Sequence, residues 1–284
     1  MSLKQLSTRF PRGTWDTHMH VIDPRFPLSF PQYSPKPHTL SDAEPFYNAL
    51  GIHKKVIVQP SIYGFDNSCT LDALRRFGKS SRAIIQFDPE RTSPQQLEEW
   101  NNLGVRGVRL NYRSINTEIK QDSLAAEIIK YANAVRHVGW ILDLYLPMES
   151  IPLLEPLVAD QKVNVCIAHF GHPSNQSLNA AQHPSDIPGF GSLMKMLKGG
   201  RTWIKLSAPY RLNADPRDPL MEQMCKSFVR EFPERCLFAT DWPHTRFESL
   251  DITPYLDALL DWIEQTDGEG LGRICVKNAD ELFE

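Results

Sequence analysis

In residues 14–24, TWDTHMHVIDP, two histidines stand one residue apart within a run of strand-forming residues. Side chains on a strand alternate between its faces, so His18 and His20 point the same way. Two imidazoles aimed at one spot suit a metal ion, or an oxygen that gains negative charge during a reaction. Other apolar stretches also end in polar groups. Ser61 and Tyr63 follow VIVQP, Arg109 and Arg113 lie in and after VRGVRLN, and Tyr145 lies in ILDLYL. His169 and His172 follow NVCIA, Arg211 follows KLSAPY, and Asp241 and His244 belong to ATDWPH. A carboxylate, imidazoles and guanidinium forks are the parts of a hydrolytic site for an anionic substrate: a base for water, donors for an oxyanion, and two-point partners for carboxylates.

Taken singly, each residue has a plainer reading. A strand histidine is often a hydrogen-bonded core group, an isolated arginine is solvated, and an aspartate caps the next helix. Their shared place at strand ends is what singles them out, and that depends on the elements. Eight runs rich in β-branched residues begin at 14–22, 54–60, 81–87, 105–111, 139–146, 163–169, 202–208 and 235–241. Helical periodicity follows each of them. SPQQLEEWNNLG carries Ser93 as N-cap, Pro94 in the first turn and Gly104 as stop; SLAAEIIKYANAVRHVG and DPLMEQMCKSFVREF are further amphipathic candidates. Eight βα units predict an α/β fold, a (β/α)₈ TIM barrel, as one domain over residues 1–284. In such a barrel the polar strand ends share one face. An open doubly wound sheet is the other arrangement, but no GxGxxG follows the first strand. Residues 24–46, with six prolines, and 171–192, rich in Gly, Pro, Ser and Asn, read as long loops over that face.

Composition limits the partners. Among 284 residues, 31 basic and 34 acidic side chains leave a net charge of −3, and no long run of either sign marks a nucleic-acid or membrane-surface protein. No stretch approaches the roughly 20 apolar residues of a membrane span, and MSLKQLSTRFPRG lacks a secretory apolar run. The expectation is a cytoplasmic protein acting on a small molecule, with a homo-oligomer left open. Its five scattered cysteines form no CxxC and read as buried thiols.

The phrases DTHMHVIDP, VIVQPSIYGFDN, GVRGVRLN, AHFGHP, KLSAPYRL, TDWPH and KNADELF together resemble the amidohydrolase superfamily. The resemblance is to its branch of 2-pyrone-4,6-dicarboxylate lactonase-like and sugar-lactonase enzymes, and it implies a distorted barrel of the amidohydrolase type. The bridging ligands of the two-metal members are missing, since strand 4 offers Arg109 and Asn111 and strand 5 offers Tyr145. A single zinc on His18, His20, His169 and Asp241 is a second reading; the branch resembled works without a divalent metal, and a site without cofactor is the expectation adopted. In that reading Asp241 activates water, His18, His20 and His169 donate to the carbonyl oxygen, and His244 orients Asp241 or shuttles its proton. The resemblance implies that Arg109, Arg113, Tyr145 and Arg211 hold substrate carboxylates, and Ser61 and Tyr63 could add hydrogen bonds. It also implies two departures: His172 stands where the branch has an arginine, and His38 about where it has a substrate-binding tyrosine. The activity expected is opening of a carboxylated lactone. The alternatives are zinc-dependent decarboxylation of an aromatic acid and a non-catalytic small-molecule-binding barrel.

Overall fold

In the computed structural model, which describes residues 2–29, 35–113 and 119–284, all eight expected strands form. They are β1 (Trp15–Met19), β2 (Lys54–Val58), β3 (Ser81–Ile85), β4 (Val105–Asn111), β5 (Ile141–Tyr145), β6 (Val165–Ile167), β7 (Thr202–Leu206) and β8 (Cys236–Phe238). They pair in parallel in chain order, β1 to β8. The ring closes above β8 through the segment that follows it: Met19 bridges to Trp242, the Asp241 N–H donates to the His18 carbonyl at 3.0 Å, and the His20 N–H donates to the Trp242 carbonyl at 2.8 Å. The result is a (β/α)₈ TIM barrel, distorted by register irregularities in β1 and between β3 and β4.

Helices cover the outside, as parallel strands buried on both faces require. Expected caps appear where the sequence placed them. Ser93 accepts from the Gln96 N–H at the start of the helix Pro94–Leu103, and Gly104, in the left-handed region at φ 112°, ends it. Asp218 caps Pro219–Glu231 in the same manner through the Met221 N–H. The long segments prove less loop-like than their composition suggests. Residues 171–192 contain the helix Asn175–Ala180 and the start of Phe190–Lys198, and residues 24–46 run into Leu40–Leu50. The part of the proline-rich segment at 30–34 lies outside the described residues.

The barrel interior is built in tiers set by the two-residue strand period. Ile141 and Trp203 belong to an apolar cluster at the base, which Ala279 and Phe283 of the C-terminal helix Asn278–Phe283 close from below. Two residues further along their strands stand Asp143 and Lys205, both fully buried and ion-paired. Two more residues on stand Tyr145 and Ser207, at the level of the polar strand ends. Trp203, Phe170 and Trp242, residues able to wall a cavity, pack in the core instead.

Candidate active site

The sequence Asp16-Thr-His18-Met-His20 places three polar side chains along the closing seam. Asp16 is its anchor. One carboxylate oxygen accepts the His18 and Thr240 N–H groups, each at 3.0 Å; the other accepts the Tyr47 hydroxyl at 2.7 Å and the Thr240 hydroxyl. These bonds tie β1 to the turn after β8 and so fix His18 against Asp241. Burial pushes the Asp16 carboxyl up, and its four hydrogen bonds oppose that.

At the centre, the Oδ1 atom of Asp241 lies 3.8 Å from the Nε2 atom of each of His18, His20 and His169. All four residues are buried, and neither Asp241 Oδ1 nor His18 Nε2 has a hydrogen-bond partner among the described residues. The other carboxylate oxygen is occupied: Tyr210 O–H and Arg211 Nε each donate to Oδ2 at 2.7 Å. Burial alone would raise this carboxyl, but the Arg211 guanidinium, with further help from the Tyr210 hydroxyl, holds it well below the usual carboxylate range.

Each imidazole is fixed from behind. His20 Nδ1 is 2.7 Å from the Val58 carbonyl, which only accepts, so Nδ1 carries a proton and the neutral ring presents an Nε2 lone pair to Asp241. His169 Nδ1 is 2.8 Å from the Ser207 hydroxyl, which donates or accepts. His18 Nδ1 is 3.2 Å from Lys205 Nζ. Burial holds all three rings neutral; His20 is pushed down to about 4, with Arg109 adding to the effect, and burial, then Lys205, push His18 well below the ordinary imidazole value.

Above this cluster opens a cavity of about 380 Å³, within the usual range for a small-molecule site. His20, Ser61, Tyr145, His169, His172 and Asp241 line it, together with the guanidinium residues Arg109, Arg113, Arg211 and Arg246. Thus the structure brings together Asp241, His18, His20, His169, Arg109, Arg113, Arg211, Tyr145, Ser61 and His172. Tyr63 is not among them: it is buried, and its hydroxyl accepts the Asp23 N–H at 3.1 Å and donates to the Asp23 carbonyl at 3.2 Å. His38 packs edge-on against Trp242, while its backbone pairs with Ile22. His244 packs between Phe46 and Tyr210 rather than on the cavity wall, and its side chain makes no hydrogen bond to Asp241. Its N–H donates to the Asp241 carbonyl at 2.8 Å, so it shapes the turn.

Backbone strain gathers around the same cluster. His169, His172, Ala208, Asp241, His244 and Arg246 all take positive φ, between 49° and 71°, a region costly for residues with a Cβ and often found at functional sites. Gly171, at φ 78°, lets the chain turn between His169 and His172; a Cβ there would meet Met148 Cε at 2.7 Å.

As a metal centre the set is mixed. His18, His169 and Asp241 offer ligand atoms that all lie within 4.8 Å of one another, and small inward shifts would bring such atoms to zinc distances of about 2.0–2.2 Å. The charge around them is opposite to what a dication needs: Lys205 stands behind His18 and Arg211 on Asp241.

A family model described as amidohydrolase matches residues 15–284. The chain belongs to the amidohydrolase family. It is 29% identical to 4-sulfomuconolactone hydrolase of Hydrogenophaga intermedia, covering 96% of this chain and 89% of that one. It is 28% identical to 2-pyrone-4,6-dicarboxylate hydrolase of Comamonas testosteroni, covering 90% and 84%. A solved apo structure from Agrobacterium tumefaciens, 22% identical, superimposes with a TM-score of 0.81 over 96% of each chain and shows the same fold. Among the described residues of this amidohydrolase no helix is long and apolar enough to cross a membrane.

Sequence reasoning missed Lys205, Asp143, Asp16 and Arg246. The first two carried a signal: each is the one charged residue of an apolar strand, and opposite charges buried in a barrel must pair.

Proposed function

We propose that this amidohydrolase opens a lactone bearing at least one carboxylate, by water addition and without a divalent metal. The observation that carries the reading is Asp241 Oδ1, a buried carboxylate oxygen with no hydrogen-bond partner among the described residues, 3.8 Å from three imidazole nitrogens beneath a guanidinium-lined cavity. That distance is too long for a hydrogen bond, and it is about what two bonds of roughly 2.8 Å span when they converge on one oxygen at a right angle.

Tyr210 and Arg211 occupy Oδ2, so only Oδ1 is left to take a proton from water. The His20 lone pair accepts the water's second hydrogen and orients it. The water oxygen bonds to the lactone carbonyl carbon, and the carbonyl oxygen, as it becomes an oxyanion, takes hydrogen bonds from Nε2–H of His18 and His169. Collapse breaks the ring C–O bond, and the proton held by Asp241 passes to the departing ring oxygen. Arg211 keeps Asp241 ionised and ready but makes it a weak base. The two imidazole donors supply the compensating stabilisation, typically about 2.7–4 kcal/mol each. Arg109, Arg113, Arg246 and the outer edge of Arg211 favour an anionic substrate. His172 adds no charge at neutral pH, because burial first, and then Arg113 and Arg211, push it down to about 3.

The lysine behind His18 and the guanidinium on Asp241 support the metal-free reading, since both oppose a dication. The relatives named for sulfomuconolactone and pyrone dicarboxylate support an anionic lactone. The test is elemental analysis of the purified protein and hydrolysis of a panel of carboxylated lactones, with and without chelator. Turnover that chelator leaves unchanged, with far less than one metal per chain, is expected. Stoichiometric zinc with activity lost on chelation overturns the metal-free mechanism, and inertness towards the whole panel overturns the substrate class.

A further inference from the structure

The mechanism above needs a proton on His18 Nε2, and that atom has no hydrogen-bond partner among the described residues to specify one. The specification comes from the tier below. Lys205 and Asp143 are the buried ion pair of the barrel interior, with no exposed side-chain surface on either. Lys205 Nζ donates to Asp143 Oδ2 and lies 3.2 Å from His18 Nδ1. An ammonium group has hydrogens to give and no lone pair to receive one. Facing it, His18 Nδ1 can only accept, and a neutral ring that accepts at Nδ1 carries its proton on Nε2. His20, two residues along, is held the opposite way by the Val58 carbonyl. The two imidazoles of one HxH pair are thus set in opposite tautomers, one presenting an N–H and one a lone pair beside the same carboxylate oxygen.

We propose that the buried Lys205–Asp143 pair is a positioning device that fixes His18 as an Nε2–H donor, and that by removing the Nε2 lone pair it also excludes His18 from metal coordination. The substrate-side use of that donor rests on the lactonase reading; the tautomer and the metal exclusion do not. Asp143 holds Lys205 in place, while its other oxygen, Oδ1, has no hydrogen-bond partner among the described residues, so the carboxylate is committed to this one contact. Metal-binding histidines in proteins have a carbonyl or carboxylate behind the ring, which strengthens the ligating lone pair. A cation in that place does the reverse.

The test needs no substrate. In protein labelled with ¹⁵N at histidine, long-range ¹H–¹⁵N spectra report which ring nitrogen carries the proton. The wild-type chain should show His18 with Nδ1 unprotonated and Nε2 protonated, beside His20 with the reverse pattern. A wild-type His18 protonated at Nδ1, or at both nitrogens at neutral pH, overturns the proposal without any variant. The double substitution Lys205→Met with Asp143→Leu removes both charges at similar volume, and an unchanged His20 pattern certifies the fold. There His18 should lose its fixed tautomer, and titration with cobalt(II) alone should show binding at least about tenfold tighter than in the wild type, the scale on which groups behind metal ligands act. A folded variant with the wild-type His18 tautomer, or with cobalt affinity no higher than wild type, overturns it. Failure of every lactone assay with the tautomers as stated would refute the proposed reaction and leave this device standing.

Discussion

Removing the Arg211 guanidinium should change the acid limb of the pH–rate profile. As a residue at a strand end, Arg211 reads as a substrate anchor whose loss raises KM. The structure gives it a second task, since its Nε donates to Asp241 Oδ2 at 2.7 Å and its Nη2 to the Thr245 carbonyl at 3.1 Å. In Arg211→Met, Asp241 keeps its burial and the Tyr210 bond but loses the largest influence holding its pKa down. An opposite charge at this range lowers a carboxyl by about 1–3 units. At about 1.4 kcal/mol per unit, that corresponds to about 1.4–4 kcal/mol, which overlaps the roughly 3–5 kcal/mol lost when one partner of a buried pair is deleted.

Two readouts follow. The acid limb of kcat/KM, measured on any lactone of the panel found to be turned over, should move up by about 1–3 pH units as Asp241 protonates more readily. Denaturant unfolding at pH 7 should show a loss of about 3 kcal/mol. The stability profile gives the sign. In the native chain the folded pKa of Asp241 lies below its unfolded value near 3.9, so its contribution is complete above about pH 4 and is lost as the pH falls further. With Arg211 gone the folded value rises towards or past the unfolded one, and the slope in that window flattens or reverses. KM will rise as well, because Arg211 lines the cavity. An unmoved acid limb would refute the coupling whatever KM does.

Other substitutions separate the remaining roles. Asp241→Asn should lower kcat by about 10²–10⁴ while retaining substrate binding, checked by single-turnover kinetics and calorimetry; wild-type turnover would place the base elsewhere. Tyr63→Phe should cost about 1 kcal/mol of stability in urea unfolding, through its two bonds to the Asp23 backbone, and leave kcat/KM unchanged. Because His172 is pushed down to about 3, it is neutral from pH 5 to 8; His172→Gln should therefore leave the pH dependence of KM over that range as it was, and a lost inflection near pH 6.5 would show that the ring titrates there.

Strand number, chain order and the gathering of Asp241 with His18, His20 and His169 were all legible in the sequence, because they rest on periodicity: apolar runs announce parallel strands, and a polar residue at a strand end lies on the catalytic face. Residues beyond strand ends were less legible. Tyr63 is five positions past β2 and His244 six past β8, where direction is set by turns rather than by a period of two. The turns here are unusual, with positive φ at His169, His172, Asp241, His244 and Arg246, conformations that those residue types do not announce. Arg246 reaches the cavity and His244 does not, although only one residue separates them.

The role of the histidines was least legible, and for a chemical reason. Residue type says only that an imidazole is present; whether it donates or accepts depends on the group behind it, and the three rings here have three different backings, a carbonyl, an ammonium and a hydroxyl. Reading all three as donors to one carbonyl oxygen would require His20 to be doubly protonated, which its burial and Arg109 oppose by pushing it down to about 4. With His20 accepting, the cluster divides into a side that receives hydrogens, Asp241 Oδ1 and His20, and a side able to give them, His18 and His169. Adding water to a carbonyl needs that division, since the attacking oxygen sheds protons while the carbonyl oxygen must be supplied with them. An ion bound at the same atoms would need lone pairs from every side at once.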